Sequence, residues 1–400
     1  MALLRALAAL CTPRDFTAVI TAVGLAQLAI VANYRRWLAR PRPPLPPSCP
    51  PVSVIVPCKG QPEHIDYFDR NIASLLAQDY AGPLEFVFVC PSASDPAYLK
   101  LEALLEPRRD VRWRLLDSQA KPTRCGEKCL NLLYGVERVD PGTRVLAFTD
   151  CDMRFPKDWL RTLVGPLEDP ALVAATAQAV ELPFSPSFAQ FLYITLVNGV
   201  AAADVVRPGV WGPSFALTKA RFAELGIAEI WSRALTDDVS LRGLMSGFGP
   251  RLHYARAFPV CWQDGGFRSF AARHRKNFSY LRFEAPWVWA ACGLWTFGKL
   301  YLWMWFCRNP VHWPLLLMIG LDSLASSWLW AIRLRGLAPQ LTELHPFWRR
   351  WGTAASALAA PLLPFFLAGP FLASWLSRRV YWGGRVYEVY GRGRVTVARA

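Results

Sequence analysis

Two pairs of carboxylates stand where acids can do chemistry. Asp150-Cys151-Asp152 directly follows an apolar run, Val145 to Thr149. Asp237-Asp238 follows Leu235-Thr236 at the head of a predicted helix, Asp237 to Met245. Hard divalent cations take oxygen ligands, and Mg2+ commonly uses one or two carboxylates together with substrate phosphates. Asp150 and Asp152 therefore read as a metal pair able to stabilise a leaving diphosphate. A solvated acidic turn is the competing reading. Adjacent carboxylates raise one another's proton affinity, which suits Asp237-Asp238 to general-base work on a hydroxyl. The competing reading there is structural: Thr236 caps the helix and the acids favour its N-terminus. Asp95 is a further acid just past a strand. Phe267 to Arg282 (FRSFAARHRKNFSYLR) is strongly basic and suits a diphosphate or lipid phosphates; a juxtamembrane basic helix is the alternative. His274 within it reads as a surface residue.

These groups need a frame. Val52 to Val56, Leu84 to Cys90, Val111 to Leu116 and Val145 to Thr149 read as strands. Between them Ile65 to Gln78, Tyr98 to Leu105 and Glu127 to Val136 read as helices. That alternation predicts an α/β fold with a mainly parallel sheet covered on both faces. Ligands then bind beyond the carboxyl ends of the strands, where the acids fall. Leu172 to Gln178 and Trp211 to Leu217 are further strands, and Phe188 to Val197 is an apolar helix suited to the membrane surface.

The bulk composition points to a bilayer. Of 400 residues, 53% are hydrophobic, 18 are Trp and only 19% are charged, which is too apolar for a purely soluble chain. Phe16 to Asn33 carries no charge and is long enough for a membrane anchor; Tyr34-Arg35-Arg36-Trp37 after it is unlike a signal-peptide cleavage site. Pro286 to Cys307 (with Lys299), His312 to Ile332 (with Asp322) and Thr353 to Leu376 are further apolar stretches. The net charge of +15 is concentrated in Arg clusters flanking these stretches, as positive-inside topology requires. No nucleic-acid-binding motif accompanies it, so no nucleic-acid partner is expected. Cysteines lack metal-site spacing, and the polar domain reads as cytosolic with reduced thiols. The boundaries follow: 1–40 anchor, 41–51 Pro-rich linker, 52–285 α/β domain, 286–377 transmembrane or interfacial region, 378–400 basic tail. One conflict remains. Three full spans after the domain would put the Arg-rich tail on the opposite side from Arg35 and Arg36, so one stretch should re-enter or lie in the interface. Pro286 to Cys307 and the Pro-broken Thr353 to Leu376 are the candidates.

Taken in order, the motifs resemble those of ceramide glucosyltransferases, within the wider family 2 type of GT-A glycosyltransferases, over nearly the whole chain. Val54-Ile55-Val56-Pro57-Cys58-Lys59-Gly60 is similar to the opening strand and Lys-Gly turn. Ser94-Asp95-Pro96-Ala97 is similar to the first acidic motif. Gly126-Glu127-Lys128-Cys129-Leu130-Asn131 sits at the Lys-and-Asn helix start, Asp150-Cys151-Asp152 at the metal-binding D-x-D, and Thr236-Asp237-Asp238 at the (T/A)-E-D whose last Asp is the base. Trp382-Gly383-Gly384-Arg385-Val386-Tyr387 resembles the terminal W-R-G-R-x-Y. The closing (Q/R)-x-x-R-W corresponds to Arg273-His274-Arg275-Lys276-Asn277, where Asn277 replaces the Trp.

The resemblance implies a GT-A, Rossmann-like cytosolic domain between transmembrane helices, in a bacterial inner membrane or an ER/Golgi-type membrane. It implies inverting transfer of a sugar from a UDP-sugar to a lipid hydroxyl with Mg2+ or Mn2+. Asp238 is then the base, with Asp237 supporting it. Asp150 and Asp152 hold the metal, and Lys59, Asp95, Lys128, Asp150, Arg273 and Lys276 serve the nucleotide-sugar. A ceramide-like acceptor is favoured over a polyprenyl phosphate, a hopanoid or a diacylglycerol. A catalytically impaired scaffold is the reading outside the enzymes, and the altered closing motif argues against a processive polymer synthase.

Overall fold

The computed structural model describes residues 13–41, 49–60, 65–206, 209–263, 265–308, 312–336 and 344–398. The linker expected at 41–51 lies mostly outside them.

The strands are β1 Val52–Pro57, β2 Leu84–Cys90, β3 Arg112–Asp117, β4 Val145–Phe148, β5 Met153–Arg154, β6 Ala174–Ala177 and β7 Val180–Pro183. They continue with β8 Phe215–Thr218, β9 Leu252–Ala255, β10 Val260–Gln263, β11 Arg379–Trp382, β12 Arg385–Gly391 and β13 Arg394–Val397. The helices are α1 Pro13–Ala39, α2 Ile65–Leu76, α3 Pro96–Leu105, α4 Glu127–Val136, α5 Trp159–Val164, α6 Phe188–Val206 and α7 Lys219–Glu224. After these come α8 Ile227–Trp231, α9 Val239–Ser246, α10 Phe267–Glu284, α11 Pro286–Arg308, α12 Trp313–Gly336, α13 Pro346–Ala359 and α14 Leu363–Leu376.

The main sheet runs β3-β2-β1-β4-β8-β6-β9. β3, β2, β1 and β4 are mutually parallel, and β8 is antiparallel to both neighbours. Near-continuous apolar runs such as Val54, Ile55 and Val56 are what a strand covered on both faces requires, and these side chains are fully buried. One face packs on Phe68, Ile72, Leu101 and Trp159, the other on Leu132, Phe222 and Trp231. A second sheet, β5-β10-β7, lies beyond the end of β4. Its strands have two to four residues, too short to carry a readable alternation.

The apolar helices form their own cluster. Tyr34 and Trp37 of α1, Leu192 and Ile194 of α6, Trp330 of α12, and Trp348 and Phe371 farther on share one core. Among the described residues, four helical segments are long and apolar enough to cross a membrane: Asp15–Ala39, Phe188–Val206, Trp313–Gly336 and Pro346–Leu376. Two adjustments follow. The apolar helix at Phe188 runs on to Val206 and is more buried than the other three. The Trp-rich α11 falls outside the set, since Lys299, its glycines and its indoles dilute its hydropathy. Within Pro346–Leu376 a 3-10 turn at Ala360–Leu362 separates α13 from α14, as Pro361 and Pro364 dictate.

The segment expected to be only a basic tail is in fact a third sheet, β11-β12-β13. It packs through Val380, Tyr387, Val389 and Val395 on Leu235, Tyr280 and Phe283. It therefore lies on the same side of the molecule as the α/β domain. If the apolar helices cross a bilayer, the crossings between Glu284 and Arg378 must then be even in number.

Candidate functional site

The parallel strands β1, β2 and β4 end on one side of the sheet, and the chemistry-bearing residues leave from those ends. After β1 come Cys58 and Lys59; after β2 comes Asp95; after β4 come Asp150 and Asp152. The register sets Cys58 between Cys90 and Cys151; its thiol donates to Val56 O at 3.6 Å, and burial followed by the two neighbouring thiols pushes its proton affinity up. The described cysteines are all free, and three that are far apart in sequence, Cys58, Cys90 and Cys151, meet at the strand ends.

Lys128 is the hub. It lies in the first turn of α4, and its ammonium lies 2.7 Å from Asp150 Oδ1 and 3.0 Å from Asp237 Oδ2. Burial works against that charge, but Asp150, Asp237 and Asp238 outweigh it and hold the ammonium well above its ordinary range. The loops carrying Lys128 and Asp237 touch through their backbones. Gly126 N–H donates to Ala234 O at 2.8 Å, and a Cβ on Gly126 would run into the Leu235 carbonyl oxygen. Glycine is required by this close approach.

Asp237 is buried; burial first, then Asp238 and Asp150, push its carboxyl up to about 6 against the pull of Lys128. Asp238 is half-buried and caps α9, with Oδ1 accepting from Val239 N–H at 2.6 Å. The cap is thus Asp238 rather than Thr236, whose hydroxyl is buried without a partner among the described residues. Asp152 is exposed as a residue, while protein atoms crowd around its carboxyl. That enclosure and then the neighbouring Asp150 charge push it up to about 6. The Cys261 thiol reaches Asp152 Oδ2 at 3.7 Å.

α10 forms the opposite wall. Arg273 and Lys276, one turn apart, lie close enough to the acids to act on them: Arg273 lowers the Asp152 carboxyl slightly, and Asp238 and Glu181 favour the Lys276 charge. Burial and then Arg273 lower the Lys276 proton affinity. Arg273 also donates to Tyr193 Oη at 2.8 Å and lies 3.6 Å from Glu181; Tyr193 in turn hydrogen-bonds Glu181. His274 is a correction. It is buried among Phe270, Tyr193 and Phe278, and burial pulls it down to about 3. The helix turns it into the core while Arg273 and Lys276 turn toward the cleft, which the density of Arg and Lys concealed.

Asp95 and Lys59 lie past the carboxyl ends of the neighbouring strands β2 and β1. Asp95 caps α3, its Oδ1 accepting from Ala97 N–H and Gly60 N–H at 2.9 Å each. Lys59 pairs with Glu127 and donates to Gly383 O at 2.7 Å. Glu127 also takes two bonds from Arg385, at 2.8 and 2.5 Å. Glu127, Arg385, Glu181 and Tyr193 were not singled out from sequence. Glu127 and Arg385 did carry a signal, their places in the Lys-and-Asn motif and the terminal motif.

No group of three His, Cys, Asp or Glu able to hold a metal occurs among the described residues. Asp150 and Asp152 nonetheless fit a hard divalent ion. They are oxygen donors whose mutual repulsion already appears in the raised Asp152 carboxyl, and two carboxylates suffice when phosphates complete the shell.

The sequence model of glycosyl transferase family 21 matches residues 16–395. No curated protein matches the chain. Among solved structures, the mannosyltransferase PcManGT from Pyrobaculum calidifontis, in complex with GDP-Man and Mn2+, is 17% identical with a TM-score of 0.47, covering 90% of this chain and 97% of that one. Glucosyl-3-phosphoglycerate synthase from Mycobacterium tuberculosis, in complex with phosphoglyceric acid, is 13% identical with a TM-score of 0.35, covering 58% and 79%.

Proposed function

The chain belongs to glycosyl transferase family 21, and from that premise we propose that it transfers a sugar from a UDP-sugar to the hydroxyl of a membrane lipid, with inversion and with a ceramide-like acceptor. The fold is of the GT-A type, a mostly parallel α/β sheet carrying apolar helices. The observation that carries the reading is Lys128 bridging Asp150 and Asp237, which draws the D-x-D and the T-D-D into one site although 86 residues separate Asp150 from Thr236.

Asp150 and Asp152 would hold Mg2+ or Mn2+, whose contribution is to neutralise the leaving diphosphate. Lys128 keeps both loops in register and balances their charge. Asp238 accepts the acceptor proton while the lipid oxygen attacks the anomeric carbon and the bond to UDP breaks. Arg273 and Lys276 add positive charge for the departing diphosphate. Lys59 and Asp95 shape the nucleotide end, Asp95 by holding Gly60. The domain limits of the sequence reading serve the same proposal: residues 1–40 anchor, 52–285 catalyse, and 286–377 bring the lipid to the cytosolic face.

The test is incubation of membranes containing the protein with labelled UDP-sugars, followed by lipid analysis. A labelled lipid formed only from one UDP-sugar, and with ceramide added, is expected. Label in a polyprenyl, hopanoid or diacylglycerol product would change the acceptor; no sugar consumed from any donor would reject the enzyme.

A further inference from the structure

In the closing motif, position 277 is an Asn, and it does not face a ligand platform: its Oδ1 accepts from Tyr280 Oη at 2.6 Å on its own helix. The aromatic next to Lys276 comes from elsewhere. The Lys276 ammonium lies 5.4 Å from the ring centre of Trp382, within cation–π range. Trp382 ends β11 and pairs across a two-residue turn with Arg385. Gly383 and Gly384 have φ of 56° and 73°, the left-handed pair of a type I′ turn. The turn brings three groups to the β1 end of the cleft. Gly383 O accepts from Lys59, Arg385 clamps Glu127, and Tyr387 Oη accepts from Glu127 N–H at 3.2 Å. Farther along, Arg392 reaches Ser240 O, at 3.4 Å, on the helix that Asp238 caps.

We propose that the β11–β12 hairpin is a clasp on the donor site, with Trp382 as a positioning residue whose ring holds Lys276 toward the diphosphate, the place left open by Asn277. Trp382 and Gly383 grip the two lysines, Lys276 and Lys59, that stand on opposite walls. The clasp thus sets the width of the mouth and the direction of its positive charge. This inference rests on the nucleotide-sugar reading given above.

The experiment is calorimetric binding of UDP and, separately, GDP, each with Mn2+, to the full chain and to Trp382→Ala, Trp382→Phe, Lys276→Met and the Trp382→Ala/Lys276→Met pair. Thermal unfolding of each runs alongside. Trp382→Ala should weaken nucleotide binding about tenfold, within the range of a desolvated cation–π contact, and Trp382→Phe should restore most of it. The double variant should be no weaker than Lys276→Met alone, because coupled residues are not additive. Additive losses, equal losses in Ala and Phe, or unchanged binding by a folded Trp382→Ala would overturn the clasp. If Trp382→Ala unfolds, the comparison of Trp382→Phe with Lys276→Met decides: unchanged binding in Lys276→Met overturns it. Binding of GDP but not UDP would correct the base while the same series still judges the clasp. Binding of neither by the unaltered chain would reject the donor reading and the clasp with it.

Discussion

Asp238 holds the first amide of α9 through one carboxylate oxygen and, in the proposed reaction, takes a proton. Asn keeps the capping ability, since Asn and Asp cap equally well, but it cannot accept the proton. Asp238→Asn should therefore lower turnover by about 10²–10⁴-fold and leave UDP binding near its original strength; turnover and calorimetry together check this, and full activity would reject Asp238 as the base. Asp152→Asn should do the reverse, weakening Mn2+-dependent nucleotide binding because a hard anion leaves the shell. An unchanged metal titration would make Asp150-Cys151-Asp152 an acidic turn. A third residue has no part in the chemistry. Glu284 is buried with Oε1 unpartnered among the described residues, and burial pushes its carboxyl up to about 7. The unfolded chain ionises first as pH rises, so the native state loses stability between roughly pH 4.5 and 7 and no further above that. Glu284→Gln should thus raise the unfolding midpoint at pH 8 but much less at pH 5, with a gain of roughly 3 kcal/mol at most. An equal gain at both pH values would point to packing instead.

Between helices α11 and α12 lies a buried ion pair, Lys299 with both oxygens of Asp322 at 2.5 Å, with the Trp295 ring 4.7 Å from the ammonium. Removing one partner leaves a charge with no water to take it, which typically costs about 3–5 kcal/mol. Lys299→Met should sharply lower the thermal midpoint in detergent, and Lys299→Met/Asp322→Leu should recover most of it. Similar midpoints for single and double variants would show that water reaches the pair. The two charges were visible in sequence as interruptions of apolar stretches; their pairing was not, because nothing in a 3.6-residue period says which helix faces which. The same limit explains the strands. β1, β2 and β4 announced themselves by apolar β-branched runs closed by Pro57, Cys90 and Asp150. β7, β9 and β10 have four residues each and no continuous apolar run: Glu181 interrupts β7, His253 interrupts β9 and Gln263 ends β10. β11 and β12 did carry a signal, alternation around Gly383-Gly384, masked by the Arg residues that begin each strand.

At the scale of the whole molecule, the acids at the strand ends were legible, but their convergence through Lys128 was not, since Lys128 and Asp237 are far apart in sequence. The docked third sheet fixes sidedness independently of charge counting. A cysteine placed at Glu137, which is 70% exposed, and one placed at Thr396 should react with a membrane-impermeant reagent from the same face of sealed vesicles. Reaction of one and protection of the other would contradict the docking of β11–β13 on the domain. That docking also has a consequence in time. A chain is made from its N-terminal end, and β11–β13 follows every apolar helix described. If those helices cross a bilayer, the α/β domain can reach its folded shape while they are still being inserted, yet Lys59, Glu127 and Lys276 acquire their hairpin partners only afterwards. Competence of the donor site would then be scheduled behind membrane integration, so that a nascent chain not yet seated in the bilayer cannot consume nucleotide-sugar.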